Sequence, residues 1–120
     1  MRPMAYKFVD WNDIEQYRGT LRRIRRELGI SAFGVNLHEL PPHADDYPEH
    51  SEAGTNNEEL YICLEGSGTI TVDGDPIELK PGPCVFVTPE SRRKIVAGAD
   101  GLSCLAIGTP AGSYSGWENL

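Results

Sequence analysis

Residues 58–74 read EELYICLEGSGTITVDG, and their pattern decides the fold class. Glu59, Tyr61 and Cys63 fall on one side of an extended chain and Leu60, Ile62 and Leu64 on the other, because side chains alternate along a strand. This predicts a strand over Glu59–Leu64. Gly66 and Gly68 mark a break or bulge, and a second strand follows over Thr69–Val72. Asp73-Gly74 is a hairpin turn, from which the chain returns over Pro76–Leu79. Pro81-Gly82-Pro83 turns again, into an apolar run at Cys84–Thr88. Arg93–Val96 and Leu102–Ile107 extend the set downstream, and Ala32–Leu40 extends it upstream. About eight short strands with turn signals every 8–12 residues predict an all-β sandwich or barrel.

The 120 residues fit one domain. With 13 Gly and 9 Pro, the chain suits many turns rather than long helices. Upstream of the strands, Leu21, Ile24 and Leu28 recur at helical spacing. They predict one helix over roughly 13–28, ending at Gly29, with Arg22, Arg23, Arg25 and Arg26 facing solvent or a partner. A short extended piece is expected at Tyr6–Val9. The division expected is an N-terminal extension over 1–30 whose helix packs on the barrel, a barrel over 31–110 and a turn-rich tail over 111–120, in which Trp117 docks on the barrel or a partner.

Charge narrows the function. The formal net charge is −7. From Glu27 to Glu78 there are twelve acids and no Lys or Arg. Nucleic acid and anionic membrane surfaces need basic charge and are not expected as partners. Cys63, Cys84 and Cys104 are odd in number and lie in apolar stretches, so they read as buried, reduced thiols. Together with the lack of an apolar N-terminal segment, they suggest a cytoplasmic protein.

The chemistry-bearing stretch is Tyr47-Pro48-Glu49-His50-Ser51-Glu52, followed by Glu59. His50 and Glu52 are two apart and would share a strand face with Glu59 opposite. One imidazole and two carboxylates suit a divalent ion such as Mn, Fe, Ni or Zn. Tyr61 and Phe86 are expected to line the interior beside this cluster. His38 reads as an ordinary strand residue.

Here the chain resembles the cupin superfamily. The first cupin motif has the form G-x5-H-x-H-x3,4-E-x6-G, and Glu59 is followed by six residues and Gly66, as the motif requires. The second motif is matched loosely by Gly74 through Lys94, ELKPGPCVFVTPESRRK carrying its Pro-Gly turn and apolar strand. The resemblance covers roughly 33–108. It implies a double-stranded β-helix (jelly-roll) barrel and commonly a homodimer. It also implies a metal held by three His and one Glu, and this chain departs from that set. The motif's second His falls at Glu52, seven positions before Glu59, and the last His falls at about Arg93. His43 in the preceding loop is a candidate substitute.

Arginine stays protonated and is no metal ligand. Two arrangements therefore remain open. In one, His50, Glu52 and Glu59 hold a divalent ion. In the other, Arg93 pairs with Glu59 or Glu52, or anchors an anionic ligand together with His50, in a metal-free pocket. The functions that follow are a metal-dependent enzyme acting on a small molecule, a ligand-binding or sensing domain, or a dimerisation module with a vestigial pocket.

Overall fold

The computed structural model describes residues 5–116. The chain forms β1 (Leu21–Arg22), α1 (Ile24–Leu28), β2 (Gly34–Leu40), β3 (Asn57–Val72), β4 (Asp75–Leu79), β5 (Cys84–Val87) and β6 (Arg93–Pro110). The strands run antiparallel in the order β1-β2-β6-β3-β4, with β5 also on β3. This is the all-β barrel that the strand pattern predicts, in the jelly-roll form that the cupin resemblance implies.

The expected eight short strands merge into fewer, longer ones. Glu59–Leu64 and Thr69–Val72 are the two halves of β3, and the last two expected strands are the halves of β6. The breaks read at Gly66 and Gly68 are register shifts inside a continuous ladder. Gly66 and Gly101 take left-handed backbone (φ 78° and 77°), and a Cβ on Gly66 would run into the Gly101 carbonyl.

The paired rows show how alternation fills the barrel. One inward row is Gly34–Gly108–Glu59–Val87, and the next is Asn36–Ala106–Tyr61–Val85. The core continues through Cys63, Ile70, Leu79, Ile95, Leu102 and Cys104. Outward rows are also apolar: Val35–Ile107–Leu60–Phe86 and Leu37–Leu105–Ile62–Cys84. Two expectations are corrected here. Phe86 does not line the interior; on β5 the inward residues are Val85 and Val87, and Phe86 is 58% exposed on the outer face. Cys84 shares that parity and is exposed, whereas Cys63 and Cys104 are buried.

The helix expected over 13–28 is also corrected. A single 3-10 turn at Trp11–Asp13 leads to a tight turn in which Arg18 and Gly19 both take left-handed backbone (φ 54° and 77°). Tyr17 and Leu21 exchange backbone hydrogen bonds across it. Gly19 interrupts the helical pattern, as a flexible residue in mid-helix does. Only Ile24–Leu28 is helical, and it stops at Gly29 in left-handed backbone as expected. This N-terminal segment packs on β2, with Ile14 and Leu37 buried and Arg22 paired with Glu39. Tyr6–Val9 belongs to no strand, and Trp117 lies outside the described residues. Among the described residues no helix is long and apolar enough to cross a membrane.

Replacing Gly66 by Ala forces a Cβ onto the Gly101 backbone and strains φ. Urea unfolding should show a loss of about 2–4 kcal/mol at unchanged m.

Candidate functional site

The stretch 43–52 lies along the first half of β6. His43 donates its backbone N–H to Gly98, Ala97 donates to Ala44, and Glu52 donates to Pro89. His50 and Arg93 exchange two backbone hydrogen bonds, N to O at 3.0 and 2.8 Å. Residues paired in this way project to the same face of an antiparallel ladder, so both side chains point to the barrel interior. The Lys94 ammonium anchors the same stretch, donating to the Asp45 and Tyr47 carbonyls at 2.6 and 2.7 Å.

A cavity of about 780 Å³ opens there, within the range of small-molecule sites. Its wall takes Asn36 and His38 from β2 and Ala106 and Gly108 from β6; its floor carries His50, Glu52 and Glu59. A Cβ on Gly108 would sit 3.3 Å from Glu59 Cγ. That glycine therefore leaves the Glu59 side chain its room.

His50 Nδ1 lies 3.1 Å from the Pro48 carbonyl. A carbonyl only accepts, so Nδ1 carries a proton, and in the neutral form of the ring Nε2 is the atom with the free lone pair. That nitrogen faces Glu52 Oε1 at 3.3 Å and Glu59 Oε1 at 3.9 Å. One donor atom from each of the three residues lies within 4.8 Å of the others. Three lone-pair donors facing one another repel unless a cation, a proton or a metal ion, sits among them.

Behind the floor lies a hydrogen-bonded chain. Tyr61 donates its hydroxyl to Glu59 Oε1 at 2.7 Å, and the Tyr47 hydroxyl lies 3.4 Å from that of Tyr61. Burial pushes both phenols up, Tyr47 to about 12, so both remain donors. Burial also raises the Glu59 carboxyl, against the opposing pulls of Tyr61 and Arg93.

Arg93 is fully buried beneath this group, the inward placement rather than a surface one. Its Nη2 donates to the Thr88 carbonyl at 2.9 Å, and Nη1 lies 3.5 Å from Glu59 Oε1. Nε and Nη1 have no hydrogen-bond partner. The guanidinium therefore supports Glu59 from below and does not line the cavity.

The structure brings His50, Glu52 and Glu59 together, with Tyr61 and Arg93 in contact with Glu59, and leaves Phe86 outside. His43 does not line the cavity. The thiols at Cys63 and Cys104 are raised by burial, Cys104 to about 12, which leaves them unreactive. His38 and Tyr47 were not singled out as site residues. Their rings pack edge to face at 5.3 Å in the cavity wall. The signal available for His38 was its parity with Asn36 and Leu40 on an alternating strand.

Residues 36–108 match the family described as the cupin domain. The chain belongs to the cupin family. This cupin is 35% identical over 91 residues to the dimethylsulfoniopropionate lyase DddW of Ruegeria pomeroyi, a match over 76% of the chain and 52% of that protein. The chain thus spans about half the length of that curated relative. Among solved structures it superposes on a cupin protein from Bacteroides fragilis with a TM-score of 0.82 and 29% identity, covering 98% of this chain and 94% of that one. It also superposes on a putative sugar phosphate isomerase from Acidithiobacillus ferrooxidans with a TM-score of 0.61 and 26% identity, over 74% of this chain and 57% of that one.

The cavity wall makes a pH prediction. Burial first, and then the nearby His50, lower the His38 pKa from 6.5 to about 4. A depressed histidine contributes stability that is present above pH 6.5 and lost as pH falls towards 4. The loss attributable to His38 should approach roughly 3 kcal/mol. In His38→Gln, stability measured by urea unfolding should fall less between pH 7 and pH 4 than in the wild type.

Proposed function

We propose that this cupin holds a divalent cation at His50, Glu52 and Glu59 and uses it on a small organic molecule admitted through the cavity. The observation that carries the reading is the convergence of three lone-pair donors on one point. Ligands about 2.1 Å from an ion and at right angles to each other lie ~3.0 Å apart. The 3.3 Å between His50 Nε2 and Glu52 Oε1 is close to that. Imidazole plus two carboxylates, without thiolate, fits Mn, Fe, Ni or Zn. Charge also fits. Two carboxylates and the Arg93 guanidinium leave one net negative charge beside a neutral imidazole, so a divalent ion would leave one positive charge. A bound ion would supply Lewis-acid polarisation of a substrate oxygen.

The chain's own residues set the rest of the site. Pro48 orients the His50 ring. Tyr61 holds Glu59 Oε1, and Tyr47, whose hydroxyl is directed to that of Tyr61, extends that chain to the cavity wall. The likeness to a dimethylsulfoniopropionate lyase supports small-molecule turnover. Incubation with that compound and with sugar phosphates, followed by NMR, tests substrate loss directly.

One observation favours a second reading. Arg93 stands where the family's last histidine falls and pairs with Glu59, as a metal-free binding or sensing pocket would have it.

Metal analysis separates the two. Protein made without a His tag should carry about one ion per chain by mass spectrometry, with the ion lost in His50→Ala and Glu59→Gln. Added metal should raise the wild-type Tm and leave both variants unmoved. A wild type that stays metal-free and is not stabilised by any of the four ions overturns the first reading.

For assembly, we propose that a second copy covers the part of the outer rows that the N-terminal segment leaves bare, ending at Phe86 and Cys84. Two adjacent apolar rows on a sheet face are the composition of a dimer interface rather than of a solvated surface. Sedimentation velocity should give a dimer for the wild type and a monomer for Phe86→Glu.

A further inference from the structure

We infer that the mouth of the cavity is an oxyanion anchor built by Arg18 and Arg25. There it takes the carboxylate or phosphate group of a small organic anion whose other end reaches His50, Glu52 and Glu59. The inference rests on the reading of this cavity as a small-molecule site. It is carried by residues that reading does not use.

Arg18 and Arg25 are the guanidiniums in the cavity lining. No other Lys or Arg lines the cavity. From Glu27 to Leu79 the chain has neither, Arg93 is buried against Glu59 and Thr88, and Arg92 and Lys94 are engaged by Glu49 and by the Asp45 and Tyr47 carbonyls. The N-terminal segment brings the missing positive charge to the rim. Arg18 lies over the Tyr17 ring, its guanidinium carbon 5.2 Å from the centroid, and Arg23 lies over the same ring at 4.3 Å. Two like charges are thus gathered on one aromatic ring, with Arg25 donating to the Ile30 carbonyl at 3.2 Å nearby in sequence.

None of Arg18, Arg23 and Arg25 has a carboxylate partner among the described residues, in a chain with 18 acids and 11 bases. Arg22, in the same segment, does pair with Glu39. Carboxylates were within reach of this segment, yet the rim arginines were left without them. Arg18 also holds left-handed backbone (φ 54°), which is unfavourable for a residue with a Cβ. A guanidinium presents a planar fork of N–H donors that matches an oxyanion.

The cavity is therefore polarised, cationic on balance at the mouth, where Arg18 and Arg25 outnumber the exposed Asp46, and acidic at the floor. A ligand with one oxyanion enters with that group outward. Its opposite end, electron-poor or bound through an ion, meets the carboxylates.

Succinate and glycerol 3-phosphate, titrated by calorimetry into full-length protein, test this. Both treated (EDTA) and Mn-loaded samples should be used. The wild type should bind at least one probe in either state, and about 0.5 M NaCl should weaken that binding. The preferred probe distinguishes carboxylate from phosphate. Arg18→Gln/Arg25→Gln should bind about tenfold more weakly or worse and keep its metal content. Glu59→Gln should do the reverse, keeping the anion and losing the ion, so failure of the metal reading leaves the anchor standing. If the double variant fails to fold, Arg18→Gln alone serves, because its side chain makes no hydrogen bond to backbone among the described residues. The inference is overturned if the folded variant binds both probes within about twofold of the wild type, or if the wild type binds neither at about 20 mM.

Discussion

The two hydrogen bonds exchanged by the His50 and Arg93 backbones hold the site together. They fasten an otherwise irregular, proline-bearing stretch to the first half of β6. They also bring an imidazole and a guanidinium to the same face, one to the cavity floor and one beneath it. Glu59 arrives from β3 between them, because the alternation that buries Tyr61 and Cys63 turns it inward as well. With the His43–Gly98, Ala97–Ala44 and Glu52–Pro89 backbone bonds on either side, that pairing sets residues 43–52 in register against the barrel so that the three donors meet.

Burying Arg93 is the electrostatic consequence. A guanidinium with no exposed surface is costly unless charge and hydrogen bonds compensate. Here compensation is incomplete. Thr88 accepts from Nη2, Glu59 lies 3.5 Å from Nη1, and Nε has no partner. Glu59 is in turn shared among Tyr61, Arg93 and the His50 face. The extra carboxylate at Glu52 has a physical role in this setting. It restores to the cavity floor the negative charge that the arginine cancels. Arg93 and Glu52 thus offset each other in the charge around Glu59.

The fold was legible because its determinants are local. Period-two alternation at 59–64, the turn at Asp73-Gly74 and the Pro-Gly turn at 81–83 each act over a few residues. The convergence of His50, Glu52 and Glu59 was legible from parity and motif spacing. Phe86 was misplaced because an apolar strand with apolar residues on both faces carries no alternation to say which face is inward. Cys84 failed for the same reason. The helix over 13–28 failed because three apolar residues at helical spacing outweighed Gly19, and no local pattern announces left-handed backbone at Arg18. His38 looked ordinary because its surroundings come from β6 and the 41–56 loop, which are distant in sequence.

The two parts of the chain divide the chemistry of the cavity between them. Between Glu27 and Leu79, where it supplies most of the wall, the chain carries no positive charge; the one barrel guanidinium at the site, Arg93, is used to hold a carboxylate. All the exposed cationic charge at the cavity therefore comes from before Gly29, from the segment that the strand pattern alone would treat as a cover for β2. That cover buries Leu37 behind the sheet and, through Tyr17, Arg18 and Arg25, shapes the entrance to the cavity. Its attachment depends on β1 pairing with His38 and Leu37 and on Arg22 pairing with Glu39. The strand that supplies the cavity wall is also the one that carries the mouth, so packing on one face of β2 sets the electrostatics on the other.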